Sequence, residues 1–420
     1  MLYYTPSGRV WFFYFLMAYI FINLIGTLAL NQAGILGNAQ TPYIRGLFVA
    51  SIAFGTVYIA GPLYLFNHKI KFYSEDIKFT STIGIVIFYS LLIGFINSNS
   101  YTYILSDLAY LIVGLAIFLL TRFGNIHFDI NKNNLIKVSL LTAIAILILE
   151  FAFGWPSVSL IIFYFALFLY GSYLGYKKFI FINLIPIILI AINSNRATLM
   201  TLGIMIIILV FIMIFKKKFG LLAIFMYSSV LLLILAILTF NSLLNHFAYE
   251  ILSSPLGMRI YSMMEIFNPN VGGIDFSRDI TISQRLYEVT AVTHTLGSNV
   301  FYWLFGYGLG GTLDMSGTLD TSVANSALLG AESVHNIHLL HGAMLFRYGL
   351  IGLLILIIFF FKLLKISIKT VDSTTMIMSL AAIAIIIYSI PASSFFVTEP
   401  LIWFCAAIII TRKRILKPTH

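Results

Sequence analysis

Long apolar runs separated by short polar segments dominate the sequence. A run of about 20 apolar residues can cross a bilayer as a helix. The runs predict twelve membrane-spanning helices: Val10–Leu30, Tyr43–Phe66, Phe79–Ile96, Tyr101–Thr121, Leu135–Phe153, Val158–Tyr176, Phe179–Ile192, Ala197–Phe215, Phe219–Phe240, His338–Phe361, Met376–Phe396 and Val397–Thr411. The seventh and twelfth runs are short, and Pro186 interrupts the seventh. We therefore expect an all-α polytopic membrane protein.

One connection between the apolar runs is much longer than the others. It comprises residues 241–337 and separates nine helices in residues 1–240 from three helices and a basic tail in residues 338–420. Loops of this length inside a compact protein are usually functional or disordered. The apolar stretch Val300–Phe305 and the helix-compatible stretch Ser283–Leu296 favour a folded, partly helical loop.

Composition supports the membrane assignment and excludes several other classes. With 60% hydrophobic and 10% charged residues, the chain has more apolar surface than a soluble core of this length could bury. The single cysteine, Cys405, rules out a disulfide framework and a thiolate metal site. The net charge of +10 comes from short basic clusters between apolar runs, a pattern that sets membrane topology and does not predict nucleic-acid binding.

The basic clusters alternate along the chain as the positive-inside rule requires. With the N-terminus in the cytoplasm, 19 of the 25 Lys and Arg residues fall in cytoplasmic segments. Both termini are then cytoplasmic, and the 241–337 loop is external. The six remaining basic residues face outward: Arg45, Arg196, Arg259, Arg278, Arg285 and Arg347.

All six outward basic residues are arginines, although the chain has more lysines than arginines. Arginine presents a planar fork that binds phosphate or carboxylate at two points, whereas lysine presents a point charge. The outward set therefore suggests binding of an oxyanion. The alternative is that these side chains contact lipid head groups or pair with nearby acids.

Three ionisable residues on different predicted helices share one depth in the membrane. Counting 1.5 Å per residue from the nearest cytoplasmic basic residue places Asp107, Glu150 and Arg347 about 20 to 22 Å above it. A charge at such depth faces a partner or a wet cavity. We expect a polar cavity near the outer surface, with ion pairing of Arg347 to Asp107 or Glu150 as the purely structural alternative.

Histidines recur at the end of the long loop. His335, His338 and His341 are spaced by three, which predicts one stripe along a helix. That stripe is too long for a single metal ion, so we expect no metal. A histidine there could be a general base or bind phosphate; the alternative is a hydrogen-bonded interfacial residue. His335, beside Asn336, is expected at the wet junction and is therefore the favoured base. His338, which begins an apolar run, is expected to be packed.

Arg285 and Glu288 lie three residues apart on the helix predicted in the loop, and the segment Gly306–Gly311 follows. Glycine-rich backbone can bring N–H groups to a phosphate. No strand–loop–helix nucleotide pattern surrounds it. Since no nucleotide pool exists outside the cytoplasm, a sugar donor used there must be linked to lipid.

Three segments occur in an order that resembles a known family. They are Asn193–Leu199, Gln284–Glu288 followed by the Gly306–Gly311 turn, and His335-Asn336 followed by Gly349-Leu-Ile-Gly352. Together with one large outward loop before the tenth helix, they resemble the O-antigen polymerase and O-antigen ligase superfamily. The likeness covers roughly the C-terminal half of the chain.

The resemblance implies a glycosyltransferase of GT-C-like architecture with one large periplasmic loop, in the bacterial inner membrane, using no cofactor. It implies that Arg196 and Arg285 bind the pyrophosphate of an undecaprenyl-linked glycan and that a histidine at the loop-to-helix junction lies near the catalytic centre. His335-Asn336 is about one helical turn farther from Gly349 than the family pattern has it. His338 has the spacing but lacks the Asn, so the functional histidine stays open.

The favoured function is polymerisation of undecaprenyl-pyrophosphate-linked repeat units of O-antigen or capsule. The alternatives are ligation of finished polymer to lipid A-core and, from another class, a secondary transporter or glycan flippase. Expected partners are the lipid-linked donor and acceptor, membrane lipids and a chain-length regulator or flippase of the same pathway, with no nucleic acid. The candidate residues are His335, His338 and Glu288 for catalysis; Arg196, Arg259, Arg278, Arg285 and Arg347 for pyrophosphate; and Arg45, Asp107, Glu150 and Asn336 in the polar cavity.

The charge pattern predicts the topology directly. Cysteines placed at Lys69, Lys132, Lys217 and Lys365 should resist an impermeant thiol reagent in intact cells, because all four positions are expected in the cytoplasm. A cysteine in the 241–337 loop should be labelled. Labelling at any of the four lysine positions would refute this orientation.

Overall fold

The computed structural model describes residues 73–123, 130, 132–153, 158–193, 196–218, 280–314, 333–335, 337–393, 396 and 399–415. The runs predicted at Val10–Leu30, Tyr43–Phe66 and Phe219–Phe240 lie outside these residues. The described part of the chain is mostly helical.

The helices, numbered here in chain order, are α1 Ser74–Ile96, α2 Tyr101–Phe123, α3 Lys132–Phe153, α4 Val158–Tyr173, α5 Lys177–Asn193, α6 Arg196–Phe215, α7 Ile280–Leu296, α8 Val300–Phe305, α9 Leu340–Lys369, α10 Ser373–Ser389 and α11 Pro400–Ile415. Two short strands, β1 Leu313–Asp314 and β2 Ser333–Val334, pair antiparallel. Each apolar run predicted within the described residues overlaps a helix, although the run predicted at Met376–Phe396 extends beyond α10, and α5 continues through Pro186. In the long loop, the helix-compatible stretch Ser283–Leu296 lies within α7, and the apolar stretch Val300–Phe305 forms α8.

In the part of the chain that the structure describes, four helices are long and apolar enough to cross a membrane: Ser74–Ile96, Tyr101–Leu119, Ala197–Phe215 and Leu340–Lys369. Further helices, including α4 and α10, are apolar but shorter. This composition is that of a helical membrane-embedded protein.

The packing of the bundle centres on α10. Every residue of α10 from Thr374 to Ser389 is buried, and the helix packs against α4, α6, α9 and α11. Its sequence is apolar all round with no charged residue, which is the pattern of a helix enclosed by others. Asp372 caps it by accepting a hydrogen bond from the Thr375 backbone N–H at 2.8 Å.

A buried ion pair joins α1 to α2 at one end of the bundle. Arg122, in the last turn of α2, donates to both carboxylate oxygens of Asp76, in the first turn of α1, at 2.7 and 3.0 Å. The two helices therefore run antiparallel, with this pair at one end and residues 97–100 at the other. We call the end that carries residues 97–100 the loop end, because α7, α8 and the two strands lie there.

Helix α9 is longer than the run predicted at His338–Phe361. It begins at Leu340, continues to Lys369 and is kinked at Gly349, whose φ of 64° is not helical. The predicted run stopped at Phe361 because Lys362 follows, but lysines are compatible with the end of a membrane helix when their stems lie along apolar surface. The segment after the kink, Leu350–Lys369, is about 30 Å long.

The glycine-rich segment Gly306–Gly311 is wedged at the loop end among α1, α2 and α9. A Cβ added at Gly308 would lie 2.3 Å from the Gly94 backbone nitrogen, and one added at Gly349 would lie 2.3 Å from the Leu304 oxygen. Backbone contacts this close require glycine at positions 308 and 349. The side chains of Asn97 and Asn99 donate to the Tyr307 carbonyl at 3.0 Å each and fix the segment in place.

The close packing of the Gly306–Gly311 segment against α1 predicts that two glycines of α1 respond in opposite ways to substitution by alanine. Gly94→Ala should lower the apparent melting temperature in detergent by several degrees, because its Cβ would lie 2.5 Å from the Leu309 oxygen. Gly84→Ala is the matched control, since no described residue lies within 4 Å of its added Cβ, and alanine favours a helix. Equal melting temperatures for the two variants would contradict this close packing.

Candidate functional site

Two groups of ionisable side chains lie at the loop end. The first, which we call the buried cluster, consists of Asp107 from α2, His335 after β2 and Arg347 from α9. The second, the Glu288–His338 pair, joins α7 to the residues that precede α9. Both groups combine residues far apart in the sequence.

In the buried cluster, one carboxylate receives contacts from three directions. Asp107 Oδ1 lies 3.3 Å from His335 Nε2 and 3.6 Å from Arg347 Nη1. Asp107 Oδ2 accepts a hydrogen bond from the Gly310 backbone N–H at 2.9 Å. The carboxylate therefore connects α2 to α9, to the loop-to-helix junction and to the glycine-rich segment.

Both ring nitrogens of His335 are occupied. Nδ1 lies 3.0 Å from the Gly311 carbonyl oxygen, so this nitrogen carries a proton and donates. Nε2 lies 3.3 Å from Arg347 Nη2, which also donates to the His335 carbonyl at 3.0 Å. The Tyr103 ring stacks on the imidazole at 4.2 Å between centroids. His335 is thus enclosed and oriented, with neither nitrogen free for a substrate.

Arg347 completes the buried cluster. Its terminal nitrogens are used by Asp107 and His335, and its Nε is buried with no hydrogen-bond partner among the described residues. Burial of a guanidinium requires a compensating charge, which Asp107 supplies. The structural alternative that the sequence offered, ion pairing of Arg347 with Asp107 or Glu150, is therefore confirmed for Asp107. The Glu150 side chain lies outside the described residues.

In the Glu288–His338 pair, a buried carboxylate holds a histidine at two points. Glu288 Oε2 accepts from the His338 backbone N–H at 2.9 Å, and Oε1 accepts from the ring Nδ1. The Glu288 side chain is 1% exposed, whereas the His338 side chain is 41% exposed. A carboxylate on Nδ1 fixes the tautomer and leaves Nε2 as the basic nitrogen.

A cation stands beside the Glu288–His338 pair. Arg285, one turn before Glu288 on α7, places Nη1 3.4 Å from Glu288 Oε1. Burial lowers the pKa of Arg285, and the Glu288 carboxylate opposes that decrease. Arginine nonetheless stays protonated because its ordinary pKa lies above 12. The Arg285 side chain is 20% exposed, so it is mostly buried but keeps some surface that a ligand could contact.

The end of α10 fixes the segment that carries His338. The Ser393 backbone N–H donates to the His338 carbonyl at 2.6 Å, and the Leu340 N–H donates to the Ile390 carbonyl at 3.0 Å. The Ser393 hydroxyl also donates to the Ile337 carbonyl. His338 is therefore held by its backbone on one side and by Glu288 on the other, while its ring edge stays accessible.

The three histidines do not form the predicted stripe. Helix α9 begins at Leu340, after His335 and His338, so only His341 is helical, and it is exposed. The expected environments are also reversed: His335 is enclosed and His338 is accessible. The reason is that His335 follows β2 and belongs to the buried cluster. The spacing of three residues assumed one continuous helix, so it could not predict these contacts. Among the described residues, no three His, Cys, Asp or Glu side chains form a metal-binding group.

The remaining candidates lie outside the described residues, either entirely or in their side chains. Arg196 is the first residue of α6, and its side chain lies outside the described residues. Arg45, Arg259, Arg278 and Asn336 also lie outside them. The backbone amides of Gly306–Gly311 are not all available to bind a phosphate, because the Gly310 N–H donates to Asp107.

Sequence reasoning missed several residues that hold the site. Tyr103 stacks on His335, Asn97 and Asn99 bind the glycine-rich segment, and Ser393 holds the histidine segment. The polar stretch after α1 signals a turn, and Tyr103 lies one turn before Asp107. The partners of Asn97, Asn99 and Tyr103 lie more than 200 residues away in the sequence, and those of Ser393 more than 50, so no local pattern identifies the contacts.

No protein-family model matches this chain, and a search of the curated proteins finds no match.

Proposed function

We propose that the chain is a bacterial inner-membrane glycosyltransferase that polymerises undecaprenyl-pyrophosphate-linked repeat units of a surface polysaccharide. In this proposal the chain has twelve spans in a GT-C-like arrangement, both termini in the cytoplasm and the loop end on the periplasmic face. The positive-inside charge pattern and the family resemblance of the C-terminal half support it.

The observation that supports an enzyme most directly is the Glu288–His338 pair. A general base needs an accessible basic nitrogen, a fixed orientation and a group that stabilises its protonated form. His338 Nε2 is on the accessible edge of the ring, and Glu288 both orients the ring and would stabilise the imidazolium. His335 lacks the accessible nitrogen, so we assign the base to His338.

The proposed reaction transfers a glycan between two lipid-linked molecules. His338 Nε2 takes the proton of an acceptor hydroxyl while the hydroxyl oxygen attacks the anomeric carbon of the donor. The bond from that carbon to the phosphate oxygen breaks, and undecaprenyl pyrophosphate leaves. The new glycosidic bond replaces the broken one, so the reaction requires no nucleotide.

Arg285 would stabilise the leaving group. Negative charge grows on the pyrophosphate as the bond breaks, and a fixed cation contributes most where charge develops in the transition state. Arg285 lies next to the base through their shared contact with Glu288. Arg196, Arg259 and Arg278 are further pyrophosphate-binding candidates in this proposal. Arg347 is assigned to structure, because its charge is paired with Asp107.

The ligase alternative would use the same base and cation with lipid A-core as the acceptor. The transporter alternative would place its decisive charges near the middle of the membrane, on discontinuous helices. Among the described residues, the charged clusters lie at helix ends: Asp76 with Arg122 at one end and the two groups at the loop end. This placement favours surface chemistry over transport.

The proposal predicts that His338→Ala abolishes polymer formation. Purified protein in liposomes, given only undecaprenyl-linked repeat units, should produce a ladder of longer glycans. Loss of a general base should reduce the rate at least about 100-fold, since such groups contribute about 10² to 10⁴. Production of a ladder without lipid A-core would also separate polymerase from ligase.

His341→Ala is the matched control, because it makes the same change three residues further on at an exposed position that contacts neither group. It should retain the wild-type rate. Turnover by His338→Ala within a few-fold of wild type would exclude His338 as the base. Absence of any polymer from the wild-type protein, with transfer only when lipid A-core is added, would favour the ligase.

A further inference from the structure

The short helix α8 carries an apolar face that no described residue covers. Val300, Phe301 and Leu304 are exposed, at 69%, 47% and 41% of their surfaces. Positions i, i+1 and i+4 lie on one side of a helix, so the three side chains form a single patch. An uncovered apolar patch of this kind needs an apolar partner.

The polar groups of α8 point the other way. Tyr302 donates its hydroxyl hydrogen to Asn97 Oδ1 at 3.0 Å, and Trp303 Nε1 donates to the Gly297 carbonyl at 2.9 Å. Asn299 caps the first turn by accepting from the Phe301 N–H at 3.0 Å. These polar side chains are thus hydrogen-bonded within the protein, and the exposed residues of α8 itself are Val300, Phe301 and Leu304.

The patch continues onto two helices that are long and apolar enough to cross a membrane. α8 packs against α1 and α9. On α1, Leu92 and Phe95 are exposed near the loop end, and on α9 Leu350 and Leu354 are exposed just after the kink. Exposed apolar side chains therefore occur at the loop end on α8 and on both of the long apolar helices against which it packs.

The height of α8 along the bundle fits a membrane boundary. α8 packs on the kink of α9, where the Leu304 carbonyl approaches Gly349. From that kink to Lys369 the helix extends about 30 Å, which equals the thickness of the hydrocarbon core. With Lys369 at one surface, the kink and α8 lie at the level of the other.

We infer that α8 is an interfacial helix whose Val300, Phe301 and Leu304 side chains insert into the lipid leaflet at the loop end. Aromatic and aliphatic side chains on one face of a helix that lies in the interface insert about 5–10 Å into the head-group boundary. Because the Gly306–Gly311 segment follows α8 directly and contacts Asp107 through Gly310, this insertion fixes the buried cluster at the level of the lipid head groups. The inference does not depend on the proposed enzymatic activity.

Spin labels at single cysteines test the insertion. Cys405→Ala removes the one native cysteine, which is buried. Phe301→Cys and Leu304→Cys in that background are labelled and reconstituted into phosphatidylethanolamine–phosphatidylglycerol liposomes. Collision rates with oxygen, which concentrates in lipid, should exceed those with a water-soluble nickel chelate at both positions.

Thr290→Cys and Thr293→Cys are the matched controls, because both side chains are exposed on α7. At these positions the nickel chelate should be the more effective relaxant. Each variant must elute and melt like the Cys405→Ala parent, and either α8 position alone is sufficient to decide. Labels on α8 that respond like the controls, or that are shielded from both reagents by a protein partner, would overturn the inference.

Discussion

The loop end depends on one charge neutralisation, that of buried Arg347 by buried Asp107. Neither group could stay in this environment alone, since an unpaired charge there would cost several kcal/mol. The carboxylate also binds His335 and the Gly310 N–H, so the pair connects two helices to two loop segments. The positions of β2, the glycine-rich segment and the start of α9 all follow from it.

This arrangement separates two histidines that are only three residues apart. His335 belongs to the buried cluster, where its ring is held by Gly311, Asp107 and Tyr103. With that end fixed, His338 emerges at the surface next to Glu288. We interpret the buried cluster as the structural support of the site and the Glu288–His338 pair as the group able to accept a proton. The interfacial helix α8 would fix the position of both groups along the membrane normal.

The sequence predicts helices well here because apolar runs of membrane length leave few alternatives. Counting residues from Lys362 and Arg122 also placed Arg347 and Asp107 at one depth, and this shared depth suggested an ion pair between them. The environments of His335 and His338 could not be predicted, because they depend on where a distant loop returns to α2 and α7. The kink at Gly349 could not be predicted from the sequence either, because it arises from close contact with α8 and not from a local pattern.

A double-mutant cycle between Asp107 and Arg347 tests this account most directly. Apparent melting temperatures in detergent would be compared for the wild type, Asp107→Asn, Arg347→Met and the double variant. Each single variant should be strongly destabilised, by about 3–5 kcal/mol, because it leaves the remaining charged side chain buried without its ion-pair partner. The double variant should recover much of that loss. Single variants that melt like wild type, or losses that simply add, would contradict a buried pair that supports the site.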